Sequence, residues 1–437
     1  MKKGLKSLSV VLLSVLGMVG CAGNNESSKG SEVNPGKGSE VNPTSSFKAG
    51  FILIGDESEG YSEAHINGIN AAKKALNLTD SQILMKKKVE ENDDAKNAAE
   101  DLVASGCNLI ISNSYGHQSF MAEVAQEYPD VQFVSATGDF ASISGINNFS
   151  NAFTNIYEAR YVSGIVGGMK LKELIDSKKL TDANKDGENY KIGYVGAYTY
   201  AEVISGYTAF YLGVKSVVSN VTMSVEFTDS WFDIDKEGAA AENLVNQGCV
   251  IIGQHADSTG APSKCETLLN NGKTCYSVGY NVDMLSVAPH AALTSSTNNW
   301  EVYYEYAMKT AMEGKKIKTD WSEGYKSSAV GITKLGTSAA SGTAEAVAAA
   351  EKQMKEGTFH VFDTTKFTVN NQKLTSHKHD FSFMDFTTNP ATVVYKGENL
   401  ETVRTEGNAS YVEESVVRSA PYFDIHIDGI NWTNKTK

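Results

Sequence analysis

Ala98-Ala99-Glu100-Asp101-Leu102-Val103, with Gly106-Cys107-Asn108-Leu109-Ile110-Ile111 two residues further on, returns 142 residues later as Ala240-Ala241-Glu242-Asn243-Leu244-Val245 with Gly248-Cys249-Val250-Ile251-Ile252. The spacing persists outside this block. Phe47-Lys48-Ala49-Gly50-Phe51 aligns with Tyr190-Lys191-Ile192-Gly193-Tyr194 at an offset of 143. Thr154-Asn155-Ile156-Tyr157-Glu158 aligns with Thr297-Asn298-Asn299-Trp300-Glu301 at the same 143. Three separated matches at nearly one offset point to two homologous halves.

Each half reads as alternating strands and helices. Phe51-Ile52-Leu53-Ile54 is a short apolar run closed by Gly55, and Ile66, Ile69 and Leu76 mark one side of a helix after it. Asn92, Asp93 and Asp94 are N-cap types ahead of Ala95, Ala98, Ala99, Leu102 and Val103, whose spacing makes one apolar helical face. Leu109-Ile110-Ile111 and the run from Val131 to Val134 predict further strands; runs at 192–195, 250–252 and 275–278 repeat them in the second half. Strands alternating with helices imply parallel sheets. The expected fold class is therefore α/β, with two doubly wound lobes.

In open parallel sheets, ligands bind outside the carboxyl ends of the strands. With two such lobes the expected site is the cleft where both sets of ends meet. In the first half that selects Asp56 to Tyr61, Asn113 to His117 and Thr137 to Asp139; in the second, Tyr198 to Tyr200, Gln254 to Ser258 and Gly279 to Asn281. Asn155–Tyr157 and Asn298–Trp300 follow the segments that should cross between lobes. Tyr61, Tyr115, Tyr198 and Trp300 lie where aromatic faces could sandwich a ring, although each could equally pack in the core. Gln254, His255 and Asp257 follow a buried strand, and Asn113 and Ser114 occupy the matching loop. Ser62, Asp139, Asn281 and Asn298 complete the candidate ligand set, and the cleft is expected to be mostly neutral.

The chain has 437 residues, 39 Lys plus Arg against 52 Asp plus Glu, and a net charge of −13. That leaves no positive surplus for nucleic acid phosphates. The start is an address. Lys2, Lys3 and Lys6 precede an apolar run from Leu8 to Val19, and Gly20 stands before Cys21. These are the parts of a secretory signal, with a run too short to span a bilayer comfortably. A Cys at that point can take a thioether-linked diacylglycerol and an acyl (palmitate) chain on the new amino terminus; a plain secreted protein with a free Cys is the alternative. Met18-Val19-Gly20-Cys21 resembles a bacterial lipobox, which implies a lipoprotein anchored on the extracytoplasmic face of the cell membrane. Residues 22–46 carry almost nothing to bury, and Lys29-Gly30-Ser31-Glu32-Val33-Asn34-Pro35 recurs from Lys37 to Pro43, as expected of a tether.

Several segments look like the basic membrane protein family of lipoproteins, which includes purine-nucleoside receptors of bacterial ABC importers. They are Glu127-Tyr128-Pro129-Asp130-Val131-Gln132-Phe133, Gly193-Tyr194-Val195-Gly196, Gly213-Val214-Lys215-Ser216-Val217, Gln254 with Gly260, Gly279-Tyr280-Asn281 and Leu293-Thr294-Ser295. The resemblance runs from about residue 47 to about 335. It implies a type I periplasmic-binding fold, a hinged clamshell without catalytic activity or cofactor, partnered by permease subunits. There are departures. The family's Asp-Lys-Ser-Phe-Asn run is Ser58-Glu59-Gly60-Tyr61-Ser62 here, its ribose-gripping Gly-x-Asp ends in Asn281, and a family Lys is Asn298. A nucleoside ligand stays open on these grounds.

The expected organisation is a leader at 1–20, a tether at 21–46, and a first lobe of 47–153 plus about 297–325. The second lobe takes 154–296 plus about 326–437. Beyond 336, Ala344, Val347, Ala348 and Met354 mark a helix stopped by Gly357; the segments 361–369 and 392–395 look like strands, and a hairpin decorating the second lobe is expected. Trp231-Phe232-Asp233-Ile234-Asp235 reads as structural, with Asp235 as a helix cap. His377-Lys378-His379 reads as part of a surface hairpin near Asn389-Pro390 in preference to a metal site. Cys265 and Cys275 could bridge, while Cys107 and Cys249 read as core. No nucleophile elbow, zinc-helix motif or phosphate-binding Gly loop appears, so no enzymatic activity is expected. The reading is a lipid-tethered solute receptor of an ABC importer closing on a small polar ligand, with a purine nucleoside among the candidates; the alternative is a surface sensor or adhesin with the same clamshell.

Overall fold

Residues 47–385 and 392–436 are described by a computed structural model. The leader, Cys21, the tether and the Asn389-Pro390 turn lie outside the described residues. In chain order the first lobe holds β1 (Ala49–Ile52), α1 (Gly60–Ala75), β2 (Ile83–Lys86), α2 (Asp93–Ala104), β3 (Leu109–Ser112), α3 (Gln118–Glu127), β4 (Gln132–Ala136), α4 (Ala141–Ser144) and β5 (Phe149–Thr154). The second holds α5 (Ile156–Asp176), β6 (Lys185–Asp186), β7 (Asn189–Gly196), α6 (Ala201–Val217), β8 (Val221–Phe227), α7 (Ile234–Asn246), β9 (Ile251–Gln254), α8 (Gly260–Asn270), β10 (Tyr276–Tyr280) and β11 (Ala292–Asn298). The chain then returns through α9 (Trp300–Met312) and β12 (Asp320–Glu323) to the first lobe, and through β13 (Val330–Ile332) to the second.

The two sheets have matching orders. One runs β12-β5-β4-β3-β1-β2 and the other β13-β11-β10-β9-β7-β8, with the short β6 paired to β7. The two Gly-Cys repeats thus lead into β3 and β9, which hold equivalent central positions. All pairings within these two runs are parallel except β11 with β13. The helices follow from the apolar spacing. On α2, Ala95, Ala98, Ala99 and Leu102 are buried, and the Asn92 side chain caps the helix by accepting from the Asp94 N–H at 2.7 Å. Asp233 caps α7 by accepting from the Lys236 N–H at 2.9 Å, in place of the expected Asp235, because the helix already starts at Ile234.

The remainder of the chain adds α10 (Thr343–Lys355), β14 (Lys378–Asp380), β15 (Phe383–Asp385), β16 (Thr392–Tyr395), β17 (Asn399–Glu401), β18 (Val403–Glu406), β19 (Ala409–Val412) and β20 (Ile430–Trp432). The helix stops where Gly357 turns to φ +68°. The strand expected over 361–369 is absent. Phe362 and Phe367 turn inward against Phe423, and only Asp363 and Val369 make isolated bridges. Nor does this segment merely decorate the second lobe. β20 does extend that lobe's sheet beside β8, but Phe383 and Tyr395 pack on Phe140 of the first lobe. Among the described residues, no helix is long and apolar enough to cross a membrane. Cys107, Cys249, Cys265 and Cys275 are buried free thiols.

Two measurements test this packing. α5 and α6 touch through glycines: a Cβ on Gly213 would sit 2.1 Å from the Tyr161 carbonyl, and one on Gly164 2.2 Å from the Phe210 carbonyl. Backbone cannot yield as a side-chain tip can, so Gly213→Ala should cost at least about 1–3 kcal/mol in urea unfolding; an unchanged midpoint would refute the close contact. Glu414 ties the C-terminal segment to α6, accepting from Ser205 Oγ and from the Tyr422 and Phe423 N–H groups. Burial lifts its carboxyl from 4.5 to about 7. A raised value adds stability that is complete below the unfolded pKa and lost as pH climbs through the folded one. Glu414→Gln should therefore gain stability relative to the wild type between pH 4.5 and about 7, and a difference that does not vary with pH would count against it.

Candidate functional site

Where the carboxyl ends of the two sheets meet, they enclose a cavity of about 530 Å³. The turn after β1 builds its first edge. Glu59 caps α1, its carboxylate accepting from the Tyr61 and Ser62 N–H groups at 3.0 and 2.9 Å. This turns the half-buried Tyr61 into the cavity, with its hydroxyl donating to the Asn113 carbonyl at 2.5 Å. The Asn113 side chain accepts from the Ile54 N–H at 2.9 Å and so ties the ends of β1 and β3 together. Ser114 and Tyr115 follow along the rim. Ser114 donates to Glu91, and the Tyr115 hydroxyl donates to Asp139, which is also ion-paired to Arg418 at 3.3 Å. Beside Asp139, Thr137 takes φ +118°, a conformation a β-branched residue rarely adopts; such strain gathers at functional sites.

The second lobe supplies the more deeply buried chemistry. Arg160, from α5, is 2 % exposed and donates to the Tyr194 hydroxyl at 2.7 Å and the Gln254 carbonyl at 2.9 Å. Its guanidinium lies 3.9 Å over the Tyr280 ring. Burial and the Arg160 charge hold His255 below its ordinary value, so a neutral imidazole donates from Nε2 to Glu202 at 2.6 Å. Glu202 keeps Oε1 buried without a protein partner. Asp257 lies opposite. Burial, reinforced by Glu59, Glu237 and Glu202, pushes its carboxyl well above the usual range. Its Oδ1 accepts from Asn281 at 2.8 Å.

Several expected ligand residues stand behind these. Ser62 is buried, accepting from the Gly55 N–H at 3.0 Å. The Gln254 amide donates to the Ala256 and Ser258 carbonyls and shapes the loop that presents His255 and Asp257. Asn281 accepts from Asn298 at 3.1 Å, and Asn298 accepts in turn from Thr154 of the first lobe. Trp300 is fully buried, its ring stacked 4.2 Å from His65, because an indole at the start of α9 fills the gap against α1. Tyr198 backs the cavity-lining Tyr200, their rings 5.2 Å apart. None of these six lines the cavity.

Other residues line it without having been singled out. Trp231 and Phe232, read as structural, face the cavity from the end of β8, and Lys88 does so from the corresponding loop after β2. His379, Asp380, Phe383 and Arg418 come from the C-terminal segment. His377 and His379 are bonded to the two oxygens of Asp424, at 2.7 and 2.9 Å, and no cluster suited to a metal occurs among the described residues. The expectation of a mostly neutral cleft is corrected too. Asp56, Glu59, Asp139, Glu202, Asp257 and Asp380 face Lys88 and Arg418. The most buried of these acids are accommodated by pairing or by keeping a proton, as buried charge requires.

Against known proteins, the family model for PnrA-like ABC transporter substrate-binding proteins (Bmp) matches residues 53–361. A purine-binding protein of Brucella abortus (strain 2308) is 31% identical over 268 residues, covering 61% of this chain and 69% of its own. A Haloferax volcanii protein, provisionally named an ABC transporter glucose-binding protein, is 27% identical over 274 residues, or 63% of this chain and 64% of its own. A solved ABC transporter solute-binding protein from Aeropyrum pernix K1 aligns at a TM-score of 0.59 and 14% identity, over 71% of this chain and 92% of its own, a likeness of fold. The fold is the type I periplasmic-binding clamshell, and the sensor or adhesin alternative is not favoured. The chain belongs to the basic membrane protein family of ABC-transporter substrate-binding proteins, non-enzymatic receptors that hold a small molecule for their permease partners.

Proposed function

We propose that this protein is a lipid-anchored receptor on the extracytoplasmic face of the membrane that captures a neutral, ring-shaped polar solute, first among them a purine or its nucleoside. The observation that carries the reading is the pairing of aromatic walls with recessed polar atoms. Tyr61, Tyr200, Trp231 and Phe232 line the cavity together with Asp257, Glu202 and His255. A volume of about 530 Å³ suits a molecule of nucleoside size. A protonated Asp257 offers one donor and one acceptor, the complement of a purine edge. The acidic surplus among the lining residues disfavours phosphorylated solutes by like-charge repulsion. The purine-binding name of the Brucella relative supports the same class.

The departures at Asn281 and Asn298 fit this reading. Both side chains are spent on each other and on Asp257, so the polar grip passes to Asp257 itself. Binding energy would come from contacts made to both lobes at once.

Calorimetry against adenine, guanosine, inosine, GMP and D-glucose, with mass spectrometry of any copurified solute, tests the ligand class. A neutral purine or nucleoside should bind and GMP should not. Asp257→Ala and Trp231→Ala should each weaken binding by about 5- to 150-fold, the loss of roughly 1–3 kcal/mol expected for a buried partner. No binding of any purine by the wild type, or wild-type affinity in both variants, would sink the reading. For the anchor, Cys21→Ala should move the protein from the membrane to the soluble fraction; retention at the membrane would rule out lipidation at that residue.

A further inference from the structure

The family match ends at residue 361, yet the cavity does not. Its remaining wall comes from the segment that follows, including His379, Phe383, Met384, Arg418 and Pro421. This extension is rooted on the second lobe. β20 adds a strand to that lobe's sheet, Phe362 and Phe423 stack 4.2 Å apart beside α5, and Glu414 accepts from Ser205 of α6. Its far side grips the first lobe at three places. Arg418 Nη1 pairs with Asp139 at 3.3 Å, their side chains only 10% and 13% exposed. The Ser419 N–H and hydroxyl donate to Asp320 Oδ1 at 2.9 and 3.0 Å. Phe383 and Tyr395 close over Phe140 at ring distances of 4.5 and 4.9 Å.

We propose that the C-terminal extension is a binding element: a strap from the second lobe to the first that forms the third wall of the solute cavity, with the Arg418–Asp139 pair holding the lobes at their closed spacing. Apart from the extension, the lobes are joined by the crossing segments at the hinge and touch across the cleft where the Tyr115 and Tyr200 rings lie 6.1 Å apart. Here the lobes cannot part without breaking a largely buried ion pair, two hydrogen bonds and an aromatic cluster, or peeling the extension away. The wall is firm where it meets the cavity. His377 and His379 are both bonded to Asp424, and His379 packs edge-on against Phe381 at 4.7 Å. Phe383 therefore limits the size of what the cavity accepts, and Arg418 gates entry and exit. The wall rests on the solute-binding reading; the strap does not.

The test separates the two. In the full-length chain with Cys21→Ser, spin labels at Asp130→Cys and Ser219→Cys report the separation of the far ends of the lobes, since Asp130 and Ser219 are exposed and the other four cysteines are buried. Without added solute, the parent should give one narrow distance. Arg418→Met, and independently Asp139→Asn, should shift and broaden it to longer separations, with thermal melting confirming that each variant is folded. Unchanged distributions in both variants would overturn the strap. With guanosine and inosine as probes, both variants should release the bound molecule about tenfold faster, the loss expected for a partly desolvated pair. Phe383→Ala should admit larger purine derivatives that the wild type rejects; an unchanged size ranking would overturn the wall. Failure of every probe to bind the wild type would remove the purine reading and leave the distance measurement to decide the strap.

Discussion

A parallel sheet sends the carboxyl ends of all its strands to one edge, and this chain carries two such sheets whose edges are held face to face by three passages between lobes. Those passages lie between Thr154 and Ile156, between Asn298 and Trp300, and between Glu323 and Val330. Side chains knit them together. Thr154 donates to Asn298, Ser322 donates to Asn155, and Glu158 accepts from the Tyr325 N–H at 2.7 Å. The cavity, its rim and its buried polar centre all follow from this arrangement, because strand ends are where backbone stops pairing and loops are free to present side chains.

Such a centre is costly unless every charge has company. Arg160 is the pivot. It sits over Tyr280 and reaches Tyr194 and the Gln254 carbonyl, and its charge adds to burial in holding His255 below its ordinary value beside Glu202, to which the imidazole donates. Asn298, Asn281 and Asp257 form a second line, carrying hydrogen bonds from the hinge to the cavity wall. A site organised this way is set before a solute arrives, which lowers the ordering cost of binding.

The fold was largely legible in the sequence because the duplication is a property of the chain that tertiary context cannot hide. The matched Gly-Cys runs and the two Thr-Asn segments fall at equivalent strands and equivalent crossings. The strand-end argument likewise brought Tyr61, Asn113, Ser114, Tyr115, Asp139, His255 and Asp257 to the cavity. It stopped at side-chain direction: sequence position places a residue near a strand end but does not say whether it faces the cavity or the row behind, which is why Gln254, Asn281, Asn298 and Trp300 stand back. Neither β2 nor β8 stands out in the sequence, so Lys88 carries no mark there, and Trp231 and Phe232 read as structural. Every residue of β2 is only partly buried, so it lacks the unbroken apolar run of a central strand, whereas β8 alternates buried and half-buried positions. Arg160 gave no signal at all, since a charged residue in a helix reads as exposed until its partners are known.

The extension was the least legible part, for a reason that bears on its role. Its pairs β14·β17, β15·β16 and β18·β19 are separate two-stranded ribbons. Ribbons of that size are marginal alone and carry little periodic signal. They hold here because Phe362, Phe423, Tyr422 and Phe381 are buried against one another and against the lobes. An element whose order derives from two surfaces at once is sensitive to the distance between them. Its folding and the spacing of the lobes are therefore coupled, and whatever stabilises one spacing of the clamshell also stabilises the wall that closes it.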